Sequence, residues 1–168
     1  MINYKKSSSE DIDALYPQFE ANIRKFFKDE YGPKTMDYFF RERISAEEIK
    51  QMIGNGGSFY IAEDGDKAVG FLLIMEREMG GTSFANWFAV NEEYQNQGIG
   101  SSLLKLWEED SLKKGIHVIW LGTEKHNLDF YKKRGFTYMG TMPKGYWGAE
   151  DNYVYKTIQE PNEDAYIQ

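Results

Sequence analysis

Residues 58–122 contain the pattern that most restricts the fold: three strand-like runs, then a helix, then one further apolar run. The runs SFYIAED, AVGFLLIMERE and SFANWFAV are separated by the short turns DGDK and MGGT, which predicts three antiparallel strands. The helical segment GIGSSLLKLWEEDSLKKG then leads to IHVIWLG, whose near-continuous apolar character is typical of a buried parallel strand. This order predicts a mixed sheet.

The flanking segments extend the same domain. INYKK predicts a strand at the start, two helices precede the turn GNGG, and HNLDFYKKRG predicts a short helix followed by the closing strands FTYMGTM and NYVYKTI. We therefore predict a single α/β (α+β) domain over residues 1–157, with a mixed central sheet of about six to seven strands flanked by helices. Residues 158–168 are predicted to be a polar C-terminal tail.

Composition and charge exclude several classes of function. The chain has 168 residues, enough for one domain, and a net charge of −7, which disfavours nucleic acid as a partner because phosphate contacts need clustered Lys and Arg. It has no cysteine, so disulfides, thiolate metal sites and cysteine nucleophiles are excluded. No apolar run approaches the ~20 residues of a membrane span, and the N-terminus lacks the apolar core of a signal peptide. We expect a cytoplasmic protein without a membrane partner.

The stretch YQNQGIGSS, residues 94–102, is typical of a loop that holds phosphate. Its glycines precede a helix, whose first N–H groups and dipole attract anions. A P-loop needs lysine after its last glycine, and here Gly100 is followed by Ser101. A dinucleotide-binding turn needs a third glycine where Leu103 stands, and a tighter turn between strand and helix. The residues at these positions therefore argue against both a P-loop and a dinucleotide-binding turn.

A third phosphate-binding pattern fits fully. The stretch from Gln95 to Gly100 resembles the Gln/Arg-x-x-Gly-x-Gly/Ala loop of the GNAT N-acetyltransferases, and FYKKRGF (residues 130–136) resembles the Phe-Tyr-x-Lys-x-Gly-Phe element of that family. The order of predicted elements over residues 1–157 is also similar to that of the family. An accidental Gly-rich helix cap is the alternative interpretation of the loop alone.

The resemblance implies a twisted sheet that splays open between its fourth and fifth strands, beside Val90. Acetyl-CoA would be the cosubstrate, with its pantetheine arm along the fourth strand and its pyrophosphate on the loop, and no metal would be required. The implied cofactor contacts are Phe88, Ala89, Val90, Gln95, Asn96, Gln97, Gly98, Ile99, Gly100, Ser101, Asn127 and Tyr131.

The same resemblance assigns catalysis to Tyr131, as the acid that protonates the CoA thiolate after an amine has attacked the thioester directly. The alternative is that Tyr131 is one of twelve tyrosines, packed at a helix end. The family often has asparagine where this chain has Glu124, so either Asn127 or Glu124 is expected to contact the pantetheine.

The general base is not identified by any pattern. The strand segment ANWF contains no carboxylate, and the candidates are therefore solvated charges elsewhere or a water molecule. The carboxylates considered are Glu76, Glu78, Glu92 and Asp151, and His126 is a further candidate near Tyr131 in sequence.

The acceptor implied by the resemblance is a small-molecule or peptide amine. Aromatic residues of the first connecting segment and the last hairpin could line a pocket for it or could simply form core, and the two readings stand equal. These residues are Tyr31, Tyr38, Phe39, Tyr146 and Trp147. The alternative functions are a non-catalytic acyl-CoA sensor of the same fold and, less favoured, a nucleotide-dependent enzyme. A homodimer is possible.

Overall fold

A computed structural model describes residues 1–75 and 80–166. The predicted strand AVGFLLIMERE is confirmed as far as Met75, and its last residues lie outside the described part of the chain. None of the described helices combines the length and the apolar composition that a membrane crossing would need.

The described residues form one sheet of seven strands in the spatial order β1-β2-β3-β4-β5-β7-β6. The strands are β1 Ile2–Ser7, β2 Ser58–Asp64, β3 Lys67–Met75, β4 Thr82–Val90, β5 Val118–Thr123, β6 Thr137–Met142 and β7 Asp151–Thr157. All neighbouring pairs are antiparallel except β4 and β5, which are parallel. The helix between β4 and β5 makes this parallel pairing possible, because a parallel neighbour needs a crossover connection.

The helices are α1 Ile12–Phe26, α2 Pro33–Tyr38, α3 Ala46–Gly54, α4 Ile99–Lys113, α5 Leu128–Lys132 and α6 Glu163–Tyr166. Their apolar stripes produce two cores, one with α1, α3 and the adjoining segment on one face of the sheet, the other with α4 and α5 on the opposite face. Phe19 and Phe71 are fully buried in the first core, and Trp107 and Leu72 in the second. The sheet is thus covered on both faces, as its apolar strands require.

The sheet splays open between β4 and β5, as predicted. The described register between these strands runs from Thr82↔Val118 to Ala85↔Leu121, and the later residues of β4 pair only with β3. A β-bulge marks the same point: Ile74 pairs with Ala85 and Leu73 with Trp87, so β4 carries one extra residue, Asn86. A bulge bends its strand and strengthens the local twist. It therefore helps β4 to diverge from β5 beyond Ala85.

The C-terminal residues 158–166 contact the end of α4. The side-chain amide of Gln159 donates to the carbonyl oxygen of Ile116 at 2.7 Å, and Ile158 packs against the second core. A Cβ at Gly115 would clash with Ala165, and Gly115 has a φ of +74°, so this glycine both ends α4 and admits the tail.

Candidate active site

A cleft of about 660 Å³ lies where β4 and β5 separate. Its lining comes from β4, the loop after it, the first turn of α4, the end of β5, α5, and the segments on either side of them. A volume of this size is typical of sites for cofactors and small molecules (~300–1,000 Å³). The cleft reaches both cores of the protein, because it passes through the gap in the sheet.

The first turn of α4 presents backbone N–H groups to this cleft. The first bond within the helix runs from the N–H of Ser102 to the carbonyl of Gly98 at 3.0 Å. The N–H groups of Ile99, Gly100 and Ser101 precede that bond and have no backbone acceptor within the described chain. Together with the positive end of the helix dipole, they form a site suited to an anion.

Two glycines of the loop are needed for different reasons. Gly98 has a φ of +83° with open space around it, so the requirement there is conformational. Gly100 has ordinary helical geometry, but a Cβ would lie 3.2 Å from the rings of both Phe88 and Phe130. The glycine at position 100 thus lets α4 approach the aromatic wall of the cleft closely.

The side-chain amides of the loop hold the loop itself. Gln95 donates to the carbonyl of Val90 at 3.1 Å, and Gln97 donates to the carbonyl of Glu93 at 3.0 Å. The side chain of Gln97 does not contribute to the described lining of the cleft. The other predicted cofactor residues all lie along it: Phe88, Ala89, Val90, Gln95, Asn96, Gly98, Ile99, Gly100, Ser101, Asn127 and Tyr131.

Tyr131 lies at the cleft with its ring almost completely buried, 4% exposed. Its ring packs edge-on against Phe130 and Phe136, and its hydroxyl hydrogen-bonds Thr123 at the end of β5. Burial raises the pKa of Tyr131 well above its ordinary value, and the bond to Thr123 opposes this only in part. The phenol is therefore neutral at physiological pH and available as a hydrogen-bond donor.

Glu124 and Asn127 are bonded to each other. The Asn127 amide donates to a carboxylate oxygen of Glu124 at 2.8 Å, and both residues line the cleft. The alternative between them as pantetheine contacts stays open, because the structure places both side chains at the same surface.

Three carboxyl groups from distant parts of the sequence share this cleft: Glu30, Glu124 and Asp151, named here the acidic group. Glu30 follows α1, Glu124 follows β5 and Asp151 begins β7. Burial, a hydrogen bond to Glu124 and repulsion from Glu124 and Asp151 raise the pKa of Glu30 to about 8. Burial and repulsion from Glu124 also raise the pKa of Asp151 above its ordinary range. Glu30 is therefore mostly protonated at neutral pH, and its ionised form is a stronger base than an ordinary carboxylate.

The acidic group is surrounded by tyrosines. Tyr153 hydrogen-bonds Asp151, and burial together with that carboxylate raises the pKa of Tyr153 to about 12. The rings of Tyr31 and Tyr146 also line the cleft and meet edge to face at 6.2 Å.

Within the described residues, no set of His, Cys, Asp and Glu side chains is arranged to hold a metal ion.

Of the five aromatic residues considered for an acceptor pocket, some line the cleft and others only pack against neighbouring side chains. Tyr31 and Tyr146 line the cleft, whereas Phe39 is fully buried in the first core and stacks on Tyr146 from behind at 5.8 Å. Tyr38 and Trp147 pack against each other at 5.3 Å outside the described lining.

The other candidate bases are placed differently. Asp151 and His126 line the cleft, but Glu92 lies on the surface near Lys25 with 80% of its side chain exposed. Glu76 and Glu78 lie outside the described residues.

Two charged residues, Glu30 and Arg134, line the cleft although the sequence patterns did not predict them. The segment containing Glu30 has no recognisable motif, and Arg134 occupies a variable position of FYKKRGF.

Comparisons with known proteins agree with this geometry. The family model described as "Acetyltransferase (GNAT) family" matches residues 17–136. An uncharacterized N-acetyltransferase from Lactobacillus delbrueckii subsp. lactis, encoded in the pepI 3' region, is 28% identical over 137 residues, which are 72% of this chain and 78% of that protein.

Two similar solved structures are acetyltransferases in complex with coenzyme A. The PaiA N-acetyltransferase of Thermoplasma acidophilum has a TM-score of 0.77 and 22% identity, covering 94% of this chain and 99% of its own. An aminoglycoside 6'-N-acetyltransferase has a TM-score of 0.75 and 21% identity, covering 95% of this chain and 99% of its own. At these identities the likeness shows the fold. The splayed sheet, the open amides at the start of α4 and the family match over residues 17–136 together show that this chain belongs to the GNAT acetyltransferase family.

Proposed function

We propose that this protein transfers an acetyl group from acetyl-CoA to a primary amine, and that the preferred amine carries a second positive charge. The observation that carries the proposal is the combination, in one cleft, of open backbone N–H groups for an anionic cosubstrate with a carboxyl-rich, tyrosine-lined region for a cationic acceptor.

The donor side follows from the gap in the sheet. β4 keeps its pairing with β3 from Trp87 to Val90 but has no described pairing with β5 there. An extended pantetheine arm can occupy that edge as an added strand would, while the diphosphate reaches the first turn of α4. Phe88, Ala89 and Val90 would provide the strand contacts.

The acceptor side follows from charge. The cleft lining among the described residues contains three carboxyl groups, and no lysine or arginine pairs with the acidic group. Burial raises the pKa of Glu30, and repulsion from Glu124 and Asp151 raises it further, so the acidic group destabilises the ionised form of Glu30. A cation removes this repulsion, and the faces of Tyr31 and Tyr146 add cation–π attraction. An acceptor with two ammonium groups can leave one on the acidic group while the other reacts as a neutral amine.

The chemistry can proceed by direct attack. The neutral amine nitrogen forms a bond to the thioester carbon, the C–S bond breaks, and the amine proton passes to the ionised form of Glu30, directly or through water. A base with a pKa near the operating pH suits this step, and Glu30 has such a value. The buried hydroxyl of Tyr131 would donate its hydrogen bond to the departing sulfur and, through exchange with solvent, supply its proton.

Measurement of free thiol release from acetyl-CoA with a panel of amines tests the proposal. The panel contains a linear monoamine, a diamine and a triamine of matched spacing, a free amino acid and a peptide with a free N-terminus. We expect the diamine or triamine to exceed the matched monoamine in kcat/KM by about tenfold or more, which corresponds to one favourable charge pair.

Equal rates for the monoamine and the diamine would contradict the acceptor class but not the acetyl transfer. CoA binding with no turnover on any amine would favour the alternative, a non-catalytic acyl-CoA sensor. The cytoplasmic location and the possible homodimer stay predictions.

A further inference from the structure

The charges along the cleft are unevenly distributed. Apart from His126, Arg134 is the one basic residue in its described lining, and the loop of residues 94–102 contains no lysine or arginine. The backbone N–H groups of α4 supply only partial charges. A diphosphate held there would therefore meet a full positive charge only at Arg134.

Arg134 is held in place beside the first turn of α4. Its Nε and Nη2 atoms donate to the hydroxyl oxygen of Ser101 at 2.9 and 2.6 Å, and its Nη1 atom donates to the carbonyl of Phe130 at 2.6 Å. The guanidinium also stacks on the ring of Phe130, with Cζ 3.6 Å from the ring centroid. These contacts fix the plane of the guanidinium at the start of the helix.

The guanidinium keeps unused binding capacity. Arginine has five N–H donors. One on Nε, one on Nη1 and one on Nη2 are used, which leaves one on each Nη atom. Arg134 forms no ion pair with a carboxylate among the described residues, and partial burial lowers its pKa without any carboxylate opposing that effect. An arginine that is partly desolvated without an anionic partner is suited to receive one from a ligand.

We propose that Arg134 binds the diphosphate of coenzyme A together with Ser101, an inference that rests on the proposed function. The Ser101 oxygen accepts hydrogen bonds from Nε and Nη2 of the guanidinium, so the hydroxyl hydrogen of Ser101 is left to donate to a phosphate oxygen. The positive charge polarises that hydroxyl and strengthens it as a donor. The element FYKKRGF thus supplies both Tyr131 for the thiol end and Arg134 for the phosphate end of the same cofactor.

Calorimetric titration of the full-length protein with three ligands tests this role. Coenzyme A carries the diphosphate and the 3′-phosphate, dephospho-CoA keeps only the diphosphate, and pantetheine has neither. The variant Arg134→Gln removes the charge while keeping an amide donor. Lys133→Gln is the matched control, because Lys133 is exposed on the same turn and absent from the cleft lining.

We expect Arg134→Gln to weaken coenzyme A and dephospho-CoA alike, by about 10- to 100-fold, and to leave pantetheine within about twofold of the wild type. Lys133→Gln should leave all three within about twofold, and Arg134→Lys, which keeps the charge but loses the planar fork, should lie between.

A loss confined to coenzyme A would overturn the assignment to the diphosphate in favour of the 3′-phosphate. Equal loss for all three ligands would mean that Arg134 only supports the structure, and no loss would overturn the proposal while the proposed function stands. A wild-type protein that binds no coenzyme A would refute the proposed function itself, and the role of Arg134 with it.

Discussion

At the scale of single residues, burial determines what each side chain of the cleft can do. Tyr131 is buried against aromatic rings, so its pKa is raised and it stays a neutral donor. Burial and the neighbouring carboxyl groups raise the pKa of Glu30 to about 8, so its ionised form is a base of the strength that proton transfer near neutral pH needs. In the proposed mechanism, Tyr131 donates a hydrogen bond to the leaving sulfur and the ionised form of Glu30 accepts the amine proton.

Replacing Tyr131 by phenylalanine should lower kcat by about 10- to 100-fold, because the leaving thiolate would lose its hydrogen-bond donor. The KM for acetyl-CoA should change little, since the ring and its packing remain. Steady-state kinetics with the best amine of the panel measures both. Tyr138→Phe is the control, because Tyr138 is exposed on β6 away from the cleft and should retain full activity. An unchanged kcat for Tyr131→Phe would contradict the acid role.

Glu30 should make stability depend on pH. Its pKa is raised from 4.5 to about 8 on folding, so the folded state binds more protons over this range and the free energy of unfolding falls as pH rises through it. Glu30→Gln should flatten this dependence and should stabilise the protein by about 1–2 kcal/mol near pH 8, a figure reduced for solvent screening of a partly exposed carboxyl.

Urea unfolding across that pH range measures the effect of Glu30→Gln. Asp29→Asn makes the same charge change at an exposed neighbouring position and should follow the wild-type curve. The same Glu30 variant should lower kcat/KM for the diamine. A Glu30→Gln variant whose stability has the same pH dependence as the wild type between about pH 5 and pH 8 would contradict the raised pKa of Glu30.

At the scale of elements, the loop and the first turn of α4 were predictable because local geometry requires their residues. Gly98 needs a positive φ, and the helix that follows must leave its first N–H groups without partners. The packing role of Gly100 was not predictable, because the two rings it faces come from β4 and α5.

Gly100→Ala should therefore destabilise the protein by about 1–3 kcal/mol, since the added methyl group would press on Phe88 and Phe130. It should also weaken coenzyme A, because those rings form a wall of the cleft. Thermal unfolding with and without coenzyme A measures both effects. Gly54→Ala, at the end of α3 with open space around it, should be neutral or slightly stabilising. Equal stability of the two variants would rule out the close contact.

At the scale of the whole molecule, the sequence pattern predicted the order of strands and helices. The resemblance to the GNAT family predicted the gap in the sheet. Neither the sequence pattern nor the family resemblance predicted the acidic group. Glu30, Glu124 and Asp151 belong to three separate segments, and only the tertiary fold brings them together. No local pattern distinguishes such residues from solvated surface charges, whereas YQNQGIGSS and FYKKRGF carry their signal in adjacent positions.

In the proposed function, one cleft receives two oppositely charged molecules, and the whole fold is consistent with this. The cleft passes through the gap between β4 and β5, with Arg134 and the first turn of α4 among its walls and the acidic group elsewhere in its lining. A cosubstrate and an acceptor can thus meet at the opening in the sheet.

The most direct test of this account follows an isotopic label from the acetyl group of acetyl-CoA by mass spectrometry, with a linear diamine as acceptor. The account predicts that the label appears in an amide of the diamine, in step with the release of free coenzyme A. Label that stays in acetyl-CoA while the protein binds it, or that appears only as acetate, would contradict transfer to an amine.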